Sequence, residues 1–202
     1  NGKTLDSASH EMQAILAYIK WIGQDVKKGV KPKGAGITDL EFMSRAADPA
    51  NGKIIYAGMC ARCHGVNGEG QKLASSNSFL YPPLWGNSSY NTGAGLFRLT
   101  RFAGFVKDNM PFGARHDSTI LTDEQAWDVA AFVNSQPRPQ MNLKNDWPDK
   151  STKPIDYPFE PYTDQFSEAQ HKFGPFIEIK KFREEEKKKT KIKKRIGPAS
   201  FY

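Results

Sequence analysis

The only two cysteines of this 202-residue chain, Cys60 and Cys63, lie three residues apart and are followed directly by His64. That spacing narrows what the chain can be. Two thiols so close together cannot staple a disulfide scaffold, and they are two short of a four-cysteine zinc site. Zinc bound partly by histidine would have to recruit His10, His116 or His171 from distant segments. A thioredoxin-like dithiol expects a βαβ setting, whereas Cys60 follows a short helical pattern and precedes a stretch rich in Gly, Asn and Ser. The run Cys60-Ala61-Arg62-Cys63-His64 instead has the pattern that attaches a c-type haem covalently. Residues three apart on a helical turn share a face, so both thiols can add to the two vinyl groups while His64 lies next to the iron. The expected cofactor is one covalent haem c, held by Cys60 and Cys63 with His64 as an axial ligand.

Iron that only transfers electrons takes a sixth ligand, and methionine is common opposite histidine. Of the five methionines, Met59 adjoins Cys60 and cannot reach the opposite haem face. Met12 lies in a helical pattern, Met43 in a linker and Met141 among prolines. Met110 is left, in the tight loop Asn109-Met110-Pro111-Phe112-Gly113 before the last helical pattern of the domain, with His116 as its rival. The bland alternative for Met110 is a core filler. Trp85, Tyr90 and Phe112 are expected to form an apolar wall that excludes water, or else to be ordinary core. Arg98 and Arg101 can offer bidentate partners to the haem propionates, or lie solvated at the surface. Gly93 and Gly95 lack the strand-then-helix context of a dinucleotide site.

The organisation along the chain supports one domain with additions. Met12, Ile15, Tyr18, Ile19 and Ile22 recur at helical spacing behind a Ser7 or Ser9 cap, so residues 7–22 read as an amphipathic helix within a first segment over 1–24. Residues 25–50, with Gly29, Pro32, Gly34, Gly36 and Pro49, read as linker. Residues 51–136 read as the folded domain, which ends in a helix from Thr122 with Gln125 completing a capping box. Residues 137–179 contain Pro148, Pro154, Pro158, Pro161 and Pro175 and read as an extended arm, followed by a basic tail over 180–202. Residues 14–19 (AILAYI) match 128–133 (DVAAFV), each ending in Ala, an aromatic and a β-branched residue. The first helix is therefore expected to be the closing helix of an earlier, similar domain.

Charge and hydropathy bound the partners. The chain is 38% hydrophobic and 25% charged, and no apolar run approaches the roughly 20 residues of a spanning helix, so membrane contact is at most peripheral. The net charge of +7 resides in Lys180–Arg195, where ten basic residues face three glutamates; the rest of the chain is neutral. An acidic redox protein or a neighbouring subunit is the expected partner of this tail, and nucleic acid is not. The sequence opens at Asn1 with no initiator Met or export signal in view, so it reads as a processed or truncated product.

The order CxxCH, then Tyr81-Pro82-Pro83-Leu84, then Met110-Pro111, then Leu121-Thr122-Asp123-Glu124-Gln125 running into Ala130-Ala131-Phe132-Val133, resembles a class I cytochrome c domain over residues 51–136. The resemblance implies an all-α fold in which the carbonyl of Pro82 or Pro83 accepts the ring N–H of His64. More of the chain is similar to two-haem cytochromes of the thiosulfate dehydrogenase family. The segments that carry this likeness are Asn1-Gly2-Lys3, Ser9-His10-Glu11-Met12, Ala17-Tyr18-Ile19-Lys20-Trp21, Asn91-Thr92-Gly93-Ala94-Gly95 and Phe166-Ser167-Glu168-Ala169-Gln170-His171. It implies the back half of a two-haem protein, with a second haem domain or subunit as partner. In that family the first haem, with a cysteine ligand, is held to be catalytic; this sequence has neither a second CxxCH nor a spare cysteine. Asn109 stands where the family can place a lysine that exchanges with the methionine, so such a switch is not expected.

The expected function is a one-electron relay within a larger respiratory or oxidoreductase assembly. The alternative is the second-haem half of an enzyme that converts thiosulfate to tetrathionate. Because haem attachment by this motif takes place outside the bacterial cytoplasm, the resemblance implies a periplasmic or otherwise exported location.

Overall fold

The computed structural model describes residues 4–32, 36–76 and 78–196, with side chains to Lys191. It divides between Gly36 and Ile37 into two compact units. In the first, α1 (His10–Gly23) is capped by Ser9, whose Oγ accepts from the Met12 N–H at 3.2 Å. Glu11 in the first turn and Lys20 in the last suit the helix dipole. Its apolar residues Ile15, Tyr18, Ile19, Trp21 and Ile22 are all exposed.

The second unit is built around one helix. In α2 (Pro49–Met59) the Asp48 carboxylate accepts from the N–H groups of Ala50 and Asn51, and Pro49 supplies a helical φ where no N–H is needed. A single turn, α3 (Ala61–His64), follows, then a short antiparallel hairpin of β1 (Gln71–Lys72) and β2 (Phe79–Tyr81). A 3-10 turn at Gly95–Phe97 leads into α4 (Leu99–Asn109). The central helix α5 (Asp123–Ser135) starts in the expected capping box: the Gln125 N–H donates to Thr122 Oγ1 at 3.2 Å, and Gln125 Oε1 accepts the Thr122 N–H at 3.0 Å.

Both α2 and α4 pack on α5, which buries Ala126, Trp127, Val129, Ala130, Ala131 and Val133. The α2–α5 crossing depends on Gly52. A Cβ there would collide with the Asp128 carbonyl and lie 2.9 Å from Phe132 Cβ. Beside it, buried Asp128 accepts from both terminal nitrogens of Arg45 (2.7 and 3.0 Å), the Asp48 N–H (2.9 Å) and Asn51 Nδ2 (2.8 Å). This carboxylate ties the start of α2 to the middle of α5. Burial works to raise its pKa, but the bonds from Arg45, Asp48 and Asn51 outweigh it and hold the carboxyl below the usual range.

The domain is larger than the capped helices outline. Within the stretch read as linker, residues 37–47 belong to the second unit: the Leu40 N–H donates to the Thr100 carbonyl at 3.0 Å, Phe42 and Met43 pack on the core, and Ala47 is buried. Nor are residues 137–179 simply an extended arm followed by a tail. They include α6 (Glu168–Phe173) and the start of α7 (Ile177–Ile196), which runs across the expected boundary at 179/180. Phe176 and Ile179 are fully buried, and the Phe176 ring lies 5.1 Å from Phe42 and 5.8 Å from Trp127. Behind them, buried His171 bonds the Ile155 carbonyl through Nδ1 (2.5 Å) and Asp164 through Nε2 (2.9 Å), while Asp164 also receives Arg183 Nε from α7 (3.0 Å). The C-terminal segment is thus bolted into the core.

Candidate haem site

Cys60, Cys63 and His64 sit where α2 gives way to α3. The Cys60 N–H closes on the Tyr56 carbonyl at 2.9 Å, and the Cys63 and His64 N–H groups both close on the Cys60 carbonyl at 3.1 and 3.0 Å. One turn therefore presents two half-buried, unbridged thiols and the imidazole together. Gly65, at φ +81°, ends the turn and lets the chain double back. The Gly70 N–H then returns to the His64 carbonyl and the Leu84 N–H to the Gly68 carbonyl, both at 2.8 Å. At Gly70 (φ +74°) a Cβ would lie 2.7 Å from Pro83 N and 2.8 Å from the Pro82 carbonyl carbon, so only glycine lets the loop run this close to the two prolines.

That loop places the Pro82 carbonyl oxygen 2.9 Å from His64 Nδ1. A carbonyl only accepts, so Nδ1 donates to it, and in the neutral ring Nε2 is then the nitrogen with the lone pair. The ring is 8% exposed, and Nε2 has no hydrogen-bond partner among the described residues. Such a bond fixes ring orientation and strengthens a metal-ligating histidine. As a free thiol Cys60 would titrate at about 11, pushed up first by burial and then by Cys63. That is opposite to the lowered pKa of a redox-active dithiol. Among the described residues no set of three His, Cys, Asp or Glu side chains clusters as a metal site, so the cysteines lack zinc co-ligands. Two open thiols and a histidine with a free nitrogen on one turn are a donor set that suits a c-type haem.

Met110 forms the C-cap of α4, where its N–H bonds the Val106 carbonyl at 2.8 Å, and it is half-buried against the core. Met43 and Met59 are likewise partly buried against the core, and Met141 is exposed. His116, the rival ligand, is exposed and lies 3.2 Å from Asp108.

The supporting residues lie in different settings. Phe112 is 94% exposed in the protein fold, in the loop that ends at Gly113 (φ +100°). Trp85 and Tyr90 do face inward: Trp85 packs against Tyr56 (5.0 Å) and Phe132 (5.6 Å), and the Tyr90 hydroxyl donates to Asn134 Oδ1 (2.9 Å). Arg98 and Arg101 are already engaged. Arg98 pairs with buried Asp156 at 2.7 Å and Arg101 with Asp39 at 2.8 Å, carboxylates supplied by the C-terminal and N-terminal flanks of the domain. Sequence spacing could not reveal those partners, which lie 58 and 62 residues away.

Comparison with known proteins agrees with this geometry. The family model for cytochrome c matches residues 49–137. The thiosulfate dehydrogenase of Allochromatium vinosum is 44% identical over 139 residues, 69% of this chain and 50% of that protein. Cytochrome c6 of Thermosynechococcus vestitus is 33% identical over 101 residues, 50% of this chain and 80% of that one. Among solved structures, thiosulfate dehydrogenase (TsdBA) from Marichromatium purpuratum, as isolated, superposes with a TM-score of 0.61 at 33% identity, covering 76% of this chain and 33% of the other. The chain spans about half the length of the curated thiosulfate dehydrogenases it matches. Its fold is all-α of the class I cytochrome c type, its cofactor is haem c and its work is electron transfer. Because it covers four fifths of a cytochrome c6 at 33% identity, and the cytochrome c family model fits residues 49–137, the chain belongs to the cytochrome c family.

Proposed function

We propose that this chain is the electron-relay portion of a larger thiosulfate-oxidising cytochrome, with haem anchored on Cys60 and Cys63 and ligated by His64 and Met110. The observation that carries the reading is His64, whose Nδ1 is held by the Pro82 carbonyl while Nε2 stays free beside two open thiols on one turn. When bound, haem supplies a reversible one-electron Fe(III)/Fe(II) couple. The protein's part is to keep that couple rigid and dry. The Pro82 carbonyl orients His64, α4 ends at Met110 with an extended backbone, and α5 supplies the packed floor beneath α2 and α4. A site that does not reorganise transfers an electron without a bound substrate.

Coupling two thiosulfates to tetrathionate releases two electrons, which such a relay carries one at a time to an acceptor. The similarity to thiosulfate dehydrogenases supports this role, and the exposed apolar residues of α1 suit a helix that closes a preceding haem domain. The redox partner is an acidic protein or subunit that faces the basic α7, and the location is the periplasm or another exported compartment. Electrochemical titration tests the relay: a one-electron Nernst response that changes, together with the ligand field, in Met110→Ala. An unchanged ligand field in that variant rejects Met110. Turnover of thiosulfate by the complete gene product tests the larger role, and its absence rejects it.

A further inference from the structure

Ten residues, 111–120, lead from Met110 at the end of α4 to buried Leu121 ahead of α5, and eight of them are exposed, with Pro111 and Ala114 half-buried. The segment bonds to itself. The Ala114 N–H donates to the Pro111 carbonyl at 3.0 Å, and Arg115 and Ser118 exchange N–H donors at 3.1 and 3.0 Å. Among the described residues none of its backbone groups bonds the rest of the domain, and its large apolar side chains, Phe112 and Ile120, are exposed rather than packed on the core.

The two elements that the segment joins are fixed to each other, since Lys107 of α4 pairs with Asp123 at the start of α5. The segment itself has one polar tether. His116 Nδ1 lies 3.2 Å from Asp108 Oδ2, and no other polar contact runs from 111–120 to the domain among the described residues. A carboxylate only accepts, so Nδ1 is the donor whether or not the ring is charged. Asp108 lies in the last turn of α4, two residues before Met110, with its side chain 17% exposed, while that of His116 is 78% exposed. Met110 therefore sits at the seam between a packed helix and a segment held by a single imidazole. Stretches with few buried contacts and exposed backbone open locally well before a domain unfolds.

We propose that His116, through its bond to Asp108, is a positioning residue that keeps the 111–120 segment closed and limits how often the Met110 thioether leaves the iron. The inference rests on the reading of Met110 as the sixth ligand. His116 then serves as the latch of Met110, not its rival.

The test follows exchange of the sixth ligand in the ferric holoprotein. Imidazole in solution takes that position only while Met110 is away, so at saturating imidazole the thioether-to-iron absorption band is lost at the opening rate. Wild type is compared with His116→Ala, which removes the tether, and His116→Asn, whose amide N–H can still reach Asp108. Exposed contacts of this kind shift an equilibrium by about two- to fivefold. His116→Ala should therefore open faster by roughly that factor, and His116→Asn should return most of the way to the wild-type rate. The urea midpoint should be unchanged, as for other exposed sites. A wild-type opening rate in His116→Ala overturns the proposal. So does a faster rate that His116→Asn fails to reverse, which removes the bond to Asp108 from the explanation, or one matched by a lower urea midpoint, which marks general loosening. A wild-type protein without the thioether-to-iron band rejects Met110 as ligand and the latch with it, and so is told apart from failure of the latch alone.

Discussion

Phe176→Ala tests whether the C-terminal segment is part of the electron-transfer domain or an appendage to it. Phe176 is fully buried, with its ring against Phe42 from the N-terminal flank and Trp127 from the centre of α5. Truncation to alanine removes the ring and leaves a cavity bordered by three separate segments. Because the Phe42 and Trp127 rings are held from other directions, the site can close only in part. Buried Phe→Ala changes of this kind cost about 3–5 kcal/mol, a large share of the 5–15 kcal/mol that typically holds a domain together. At about 2–4 °C per kcal/mol for a domain of this size, the melting temperature should fall by roughly 10 °C. Urea titration of the haem-loaded protein, followed by tryptophan fluorescence, reads the change directly. The exposed neighbour Lys180→Ala serves as control and should stay within about 0.5 kcal/mol. A loss below about 1 kcal/mol for Phe176→Ala would refute the claim that α7 is built into the core.

Gly52→Ala should destabilise by at least the 1–3 kcal/mol typical of overpacking, since the added methyl meets the Asp128 carbonyl and Phe132 at the α2–α5 crossing; chemical denaturation checks it, and a neutral result would mean the helices can part without cost. Asp128 makes stability depend on acid. Its folded pKa is depressed, so its contribution is complete above the unfolded value of about 3.9 and is lost as pH falls through the folded value. Asp128→Asn should therefore lower stability at neutral pH by about 1–3 kcal/mol and flatten the acid limb of a stability-against-pH curve below about pH 4. The half of α7 from Lys187 to Arg195 carries seven basic residues and no acidic one. Electron-transfer rates with an acidic partner should fall with ionic strength and fall further when Lys187, Lys188 and Lys189 are changed to Glu, as stopped-flow mixing can show.

How much of this was legible in the sequence depended on whether the signal was local. The CxxCH turn, the Ser9 cap of α1 and the Thr122–Gln125 capping box are each specified within a few residues, and the helices formed where those residues place them. The Pro82 contact became legible through the family resemblance and is present at 2.9 Å. What stayed hidden was long-range and aperiodic. Leu40, Phe42, Met43 and Ala47 join the core without helical or strand spacing, so the stretch reads as linker. Phe176 and Ile179 are two apolar residues ahead of a highly charged run, and the charge obscures their burial. Arg98 and Arg101 look free until the fold brings Asp156 and Asp39 to them. Arg138, between two prolines after α5, has no local sign that it is buried.

The central claim is that haem is bound through thioethers to Cys60 and Cys63. Intact-mass measurement after acid–acetone extraction tests it most directly, because that treatment removes haem held only by coordination. The account predicts polypeptide plus one haem in the wild type, with retention weakened in Cys60→Ser and in Cys63→Ser and abolished when both are changed. Bare polypeptide mass from the wild type, with the haem in the acetone, would contradict it.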